Sequence, residues 1–133
     1  MAADNKFNDA LDKTARYSTE QFDKNILFIA SGSLGISFAF IKDIVPDFSQ
    51  ATHKGTLIAS WYIFAIVIFI SLATHFISMQ ASTWAFKNEK LDDNLFNAKL
   101  RCWNIPIRIL NISMIMGIFI GALFLIYFIH QNL

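Results

Sequence analysis

The feature that most constrains this chain is a set of three apolar blocks, each at least about 20 residues long, set between segments rich in charge. The first is residues 25–45 (NILFIASGSLGISFAFIKDIV), the second residues 55–82 (GTLIASWYIFAIVIFISLATHFISMQAS) and the third residues 106–129 (PIRILNISMIMGIFIGALFLIYFI). A helix of such length spans roughly 30 Å, the thickness of a bilayer's hydrocarbon core. In lipid every backbone N–H and C=O has to be satisfied within its own segment, so the blocks are expected to be helices. With 55% of its residues apolar and 16% charged, the chain is too hydrophobic for an ordinary soluble domain of 133 residues. The expectation is an all-α integral membrane protein with three transmembrane helices in a single domain, residues 1–133.

Lys and Arg beside the spans give the orientation. Nine lie before the first span or between the second and third (Lys6, Lys13, Arg16, Lys24, Lys87, Lys90, Lys99, Arg101, Arg108), against two, Lys42 and Lys54, between the first and second. This places the N-terminus and the segment 83–105 in the cytoplasm and the C-terminus outside. Trp61, Tyr62 and Tyr127 then fall near the outer interface and Trp84 and Trp103 near the inner one. Residues 1–24 are polar and lead into a full span, so the first span is read as an uncleaved signal anchor. The single cysteine, Cys102, excludes an internal disulfide and reads as a reduced thiol that fills space.

The cytoplasmic segments look helical. Phe7, Leu11 and Ala15 form one stripe, and Asp9–Lys13 and Asp12–Arg16 are acid-before-base pairs at helical spacing. Ser18 with Gln21 fits a capping box, and Tyr17 with Phe22 a hydrophobic staple, so a new helix is expected to start at Ser18 and enter the bilayer. Residues 1–24 hold four bases against five acids, which argues for packing on other helices rather than a polybasic lipid anchor. In residues 83–105, Leu91, Leu95, Ala98 and Cys102 share a face beside Phe96, Leu100 and Trp103. Asn104 and Pro106 suit the start of the third span. The second and third helices are thus expected to project into the cytoplasm or to be joined there by a short helix. Phe7, Leu11, Leu91, Leu95 and Phe96 are the candidate partner-docking residues.

No catalytic signature stands out, and the expectation is a non-enzyme without a cofactor. His53, His75 and His130 are isolated and lack metal-ligand spacing. No acid or lysine lies deep in a span, which argues against transport built on buried charge. A net charge of +1 without a basic stripe gives nucleic acid no footing.

What the spans do carry is small and polar residues. Ser31, Gly35 and Ala39 recur every four residues in the first; Ser113, Gly117 and Gly121 do so in the third; Ser71, His75, Ser78 and Ser82 make a polar stripe in the second. Small residues at this spacing let helices approach closely in lipid. Three short helices enclose no cavity alone, so the two small-residue rows point to helix packing within a homo-oligomer. Ser31, Ser33, His75, Asn111 and Ser113 are expected at one depth, roughly 8 Å inside the inner face. Three readings of that layer stand open. Its groups hydrogen-bond one another in a packed bundle, they line a polar pore or a water and ion site in which His75 responds to pH, or they form a lipid or small-molecule site.

The block EQFDKNILFIASGSLGISFAFIKDIVP, followed by LIASWYIF, covers about residues 20–65 and resembles small multi-span bacterial membrane proteins encoded beside anti-phage defence genes. That resemblance implies a membrane effector or accessory subunit in a bacterial inner membrane. Sensor domains usual in such effectors have no counterpart here, so a cytoplasmic protein partner would supply the trigger. The functional expectation is an oligomeric effector, in contact with membrane lipid, that perturbs the bilayer or forms a pore. The alternative is a non-conducting scaffold or accessory subunit of a larger membrane complex.

Overall fold

The computed structural model describes the backbone of residues 2–45, 50–88 and 92–133, and the side chains of these residues except 2–13, 15, 16, 42 and 44. The described residues form three α-helices and no strand: α1 (Ala2–Ile44), α2 (Lys54–Lys87) and α3 (Asp93–Asn132). All three contain stretches long and apolar enough to cross a membrane, α1 within Tyr17–Ile41 and α2 and α3 in their length.

The boundaries differ from those expected in two places. α1 runs through Ser18 without a break. No Gly or Pro interrupts the chain between Ala2 and Ser31, and the Lys24 ammonium meets the Glu20 carboxylate at 2.7 Å across one helical turn, so nothing ends the helix there. The described residues of 83–105 belong to the end of α2 and the start of α3, with 89–91 outside the described residues; the departure there is at Pro106, expected to open the third span. α2 continues to Lys87, where the Asn88 side chain donates to the Trp84 carbonyl at 2.8 Å. α3 begins at Asp93, an acid in its first turn, and Pro106 lies inside it instead of opening it. A proline removes one N–H from the helical ladder, and α3 carries on across the gap.

The helices pack through a seam of short period. The buried residues of α2 are Leu57, Ser60, Phe64, Val67, Ser71, Thr74 and Ala81, and those of α3 are Met114, Gly121 and Phe128. Alternating steps of three and four, and steps of seven, are the spacing of helices that cross at a shallow angle with side chains interdigitated. One apolar cluster joins Ile26 and Ala30 of α1 to Val67 and Met114, and a second joins Val45, Leu57 and Phe128.

Beyond the second cluster, the Asn132 amide and the Thr52 backbone bond reciprocally. The Thr52 N–H donates to Asn132 Oδ1 at 2.8 Å and Asn132 Nδ2 donates to the Thr52 carbonyl at 3.1 Å. His53, with φ of 53° in the left-handed region, starts α2 and sets its ring edge-on to Tyr127 at 5.5 Å. These contacts hold the start of α2 level with the end of α3. Counted from this loop end, helices of 34 and 40 residues are about 51 and 60 Å long. A bilayer's hydrocarbon takes up about 30 Å of that. The helices are thus longer than a bilayer is thick, and at their other, hairpin end Trp84 of α2 stacks on Phe96 of α3 at 5.8 Å.

Burial does not follow polarity. Ser60 and Thr74 are 0% and 1% exposed, whereas Phe28 and Phe69 are 78% and 71% exposed. The buried hydroxyls donate back to their own helix, Ser60 to the Leu57 carbonyl at 2.7 Å and Thr74 to the Ile70 carbonyl at 2.8 Å. In water such an arrangement would sacrifice most of the hydrophobic gain; with lipid as the solvent it costs nothing to leave Phe outside. The chain is a multi-pass membrane protein.

Candidate functional site

The two small-residue rows are placed differently. In α3, Gly117 and Gly121 face α2. A β-carbon on Gly117 would lie 2.5 Å from a Val67 methyl, and one on Gly121 would lie 2.9 Å from the Phe64 ring. Ser113 has rotated off that face, exposed, and donates to its own Ile109 carbonyl at 2.9 Å. In α1, by contrast, Ser31, Gly35 and Ala39 are exposed, and nothing stands within 4 Å of a β-carbon built on Gly35. Ser31 turns its hydroxyl back to the Leu27 carbonyl at 2.7 Å. The face of α1 that packs on the chain's own helices is the next one round, with Ile26, Ala30 and Ser37 buried. There the Trp61 indole N–H donates to Ser37 Oγ at 2.8 Å, and Ser37 in turn donates to the Leu34 carbonyl at 2.8 Å.

The polar residues expected in one layer are divided among three places within a single chain. Ser31 and Ser113 point outward, and Ser33 is half-buried on α1. His75 is exposed in a recess of about 400 Å³ between α1 and α2, facing Glu20, Asp23 and Lys24 with Ser71 at its floor. Asp23 Oδ1 is buried there without a hydrogen-bond partner. Asn111 belongs to a different cavity, a cleft of about 860 Å³ where the three helices part towards the hairpin end. Its Oδ1 too is buried and unpartnered. From Lys54 to His75 is about 31 Å along α2, close to the hydrocarbon thickness of a bilayer.

Of the candidate docking residues, Leu95 is exposed and Phe96 half-buried against Trp84; Phe7, Leu11 and Leu91 lie outside the described side chains. The cleft itself was not anticipated. Its α3 wall repeats Asn104, Arg108, Asn111 and Ile115, and its α2 wall Ser78, Ser82 and Ala85. Both are helical spacings of four and three, and the α3 repeat was the signal available in the sequence. Among the described residues no three His, Cys, Asp or Glu side chains converge as a metal centre requires.

These features define the class: a three-helix, multi-pass membrane protein with a hydrophobic exterior, a small-residue seam and long helical extensions at one end. No family model, curated protein or solved structure matches the chain.

Proposed function

We propose that this protein is a homo-oligomeric membrane effector that perturbs the bilayer or opens a polar path when a cytoplasmic protein partner acts on its projecting helix ends. The observation that carries the reading is the outward row Ser31–Gly35–Ala39, with open space at Gly35. A glycine in a helix interior costs about 1 kcal/mol relative to alanine. A small-residue face turned to lipid repays that only when a second backbone comes close to it. The α3 row is already occupied by α2, so the free row on α1 is the one suited to another copy. The hairpin end is assigned to the cytoplasm by the surrounding Lys and Arg, and the resemblance of residues 20–65 supports a setting in the inner membrane and in anti-phage defence. No enzymatic step and no cofactor enter this reading.

The mass of the purified protein in nanodiscs, lipid and belt subtracted, tests it. A complex of several copies that conducts ions in planar bilayers supports the effector. A monomer removes it. A second reading, a non-conducting scaffold, is favoured by the bare apolar side chains on the extensions: Phe86 is 84% and Leu95 63% exposed, beyond the length a bilayer covers. A multi-copy complex without conductance, whose effect in cells depends on Leu95, favours that alternative.

A further inference from the structure

The cleft between the helices is a void that a membrane protein cannot leave empty. The facing surfaces there are small among the described residues: Ser78, Ala81, Ser82 and Ala85 on α2 and Ser18 on α1. About 860 Å³ is in the range of ligand sites and far above the packing gaps of a protein interior. Its two ends differ in chemistry. Arg108 lies about 31 Å along α3 from Ile129, at the depth where phosphates begin, and Asn104 lies one turn beyond it. Ile112 and Ile115 lie on the hydrocarbon side, the latter about 10 Å deeper than Arg108. Among the described residues Arg108 makes no ion pair and no carboxylate lines the cleft. Glu20 is paired with Lys24 in the neighbouring recess. The buried Asn111 Oδ1 wants a donor, and water would be poorly held beside Ile112 and Ile115.

We infer that this cleft binds one acidic phospholipid, with its phosphate on Arg108, its headgroup hydroxyls against Asn111 and Asn104, and an acyl chain along Phe22, Ile112 and Ile115. A guanidinium in the headgroup layer matches a phosphate in charge and geometry, and a basic pocket between spans is a recurrent lipid site. The inference depends on the chain crossing a membrane, not on its oligomeric state or on conduction.

The test is native mass spectrometry of the full-length protein in detergent, with phosphatidylglycerol or phosphatidylcholine of the same acyl chains added. The expected result is a retained phosphatidylglycerol, bound at least about fivefold more than phosphatidylcholine. Arg108→Gln should erase that preference and Arg108→Lys should keep most of it, the latter showing that a change at this position folds. Asn111→Leu should also weaken retention. Arg101→Gln, which removes the same charge outside the cleft, should bind as the unaltered protein does. Equal retention of the two lipids, equal loss in Arg101→Gln and Arg108→Gln, or displacement of phosphatidylglycerol by inorganic phosphate would overturn the inference. The first two mean diffuse attraction, and the third means a headgroup site without an acyl groove.

Discussion

A β-carbon at Gly121 would stand 2.9 Å from Cε1 of Phe64, a ring that is itself fully buried between α2 and α3. The ring cannot retreat, since a packed core yields by strain and not by free movement. The same holds at Gly117, where the obstacle is a methyl of Val67, a side chain stiff at χ1 and 2% exposed. Gly121→Ala and Gly117→Ala are therefore expected to destabilise the protein by about 1–2 kcal/mol: overpacking costs about 1–3 and better helix propensity returns up to about 1. Unfolding in detergent, followed by far-UV circular dichroism, measures this. Unchanged midpoints in both variants would mean that α2 and α3 do not pack at these glycines.

Gly35 gives the opposite expectation. With nothing within 4 Å of the added atom, Gly35→Ala should raise the stability of the single chain by about 0.5–1 kcal/mol, the helix-propensity gain alone. Gly35→Leu should also leave the isolated chain folded but keep a second copy away. Light scattering of the purified variant is expected to report fewer copies per particle at an unaltered unfolding midpoint. Retention of the full assembly by Gly35→Leu would rule out this row as the contact between copies.

Ser37 and Trp61 form a hydrogen bond between α1 and α2 near the loop end, with the Ser37 hydroxyl both accepting from the indole and donating to the Leu34 carbonyl. Ser37→Ala strands the indole N–H and should cost about 1 kcal/mol. Trp61→Phe should cost more, because the ring also packs against Phe38, with centroids 4.3 Å apart. A double-mutant cycle between the two positions is expected to give a coupling of about 0.6–1.7 kcal/mol, the range of hydrogen bonds between helices in lipid. Additive effects would show the bond to be absent in solution.

How much of this was legible in the sequence depends on the scale of the feature. Three helices and their apolar lengths follow from hydrophobic runs, because lipid leaves the backbone no alternative. The direction each face points does not follow. Ala30 and Ser31 are neighbours of similar size, yet one is fully buried and the other exposed, since a helix turns about 100° between them. Hydropathy cannot separate them when the outside is as apolar as the inside. The seam on α2 was hidden for the same reason: its buried members include Ser60, Ser71 and Thr74, residues that a soluble protein would turn to water. The cleft required a third helix. Asn104, Arg108 and Asn111 share a face in the sequence, but only the small residues brought against them from α2 and α1 make that face a cavity.

At the hairpin end two adjacent residues allow folding to be tested apart from the proposed docking. Phe96 stacks on Trp84 at 5.8 Å with an interplanar angle of 24°, closing α2 on α3, whereas Leu95 is 63% exposed and beyond the depth a bilayer covers. Phe96→Ala should loosen the hairpin by about 0.5–1.5 kcal/mol and speed tryptic cleavage at Lys87, where α2 ends. Leu95→Glu should leave both cleavage and unfolding as they are, within about 0.5 kcal/mol, because most of the Leu95 surface is open. In cells the order reverses if a cytoplasmic partner engages the extension. Leu95→Glu is then expected to abolish the protein's effect on membrane potential while its assembly persists, and Phe96→Ala to weaken it only in proportion to lost stability. An effect on membrane potential that survives Leu95→Glu at full strength would show that the trigger does not act through this face, and would move the search for the partner's footing to the N-terminal part of α1.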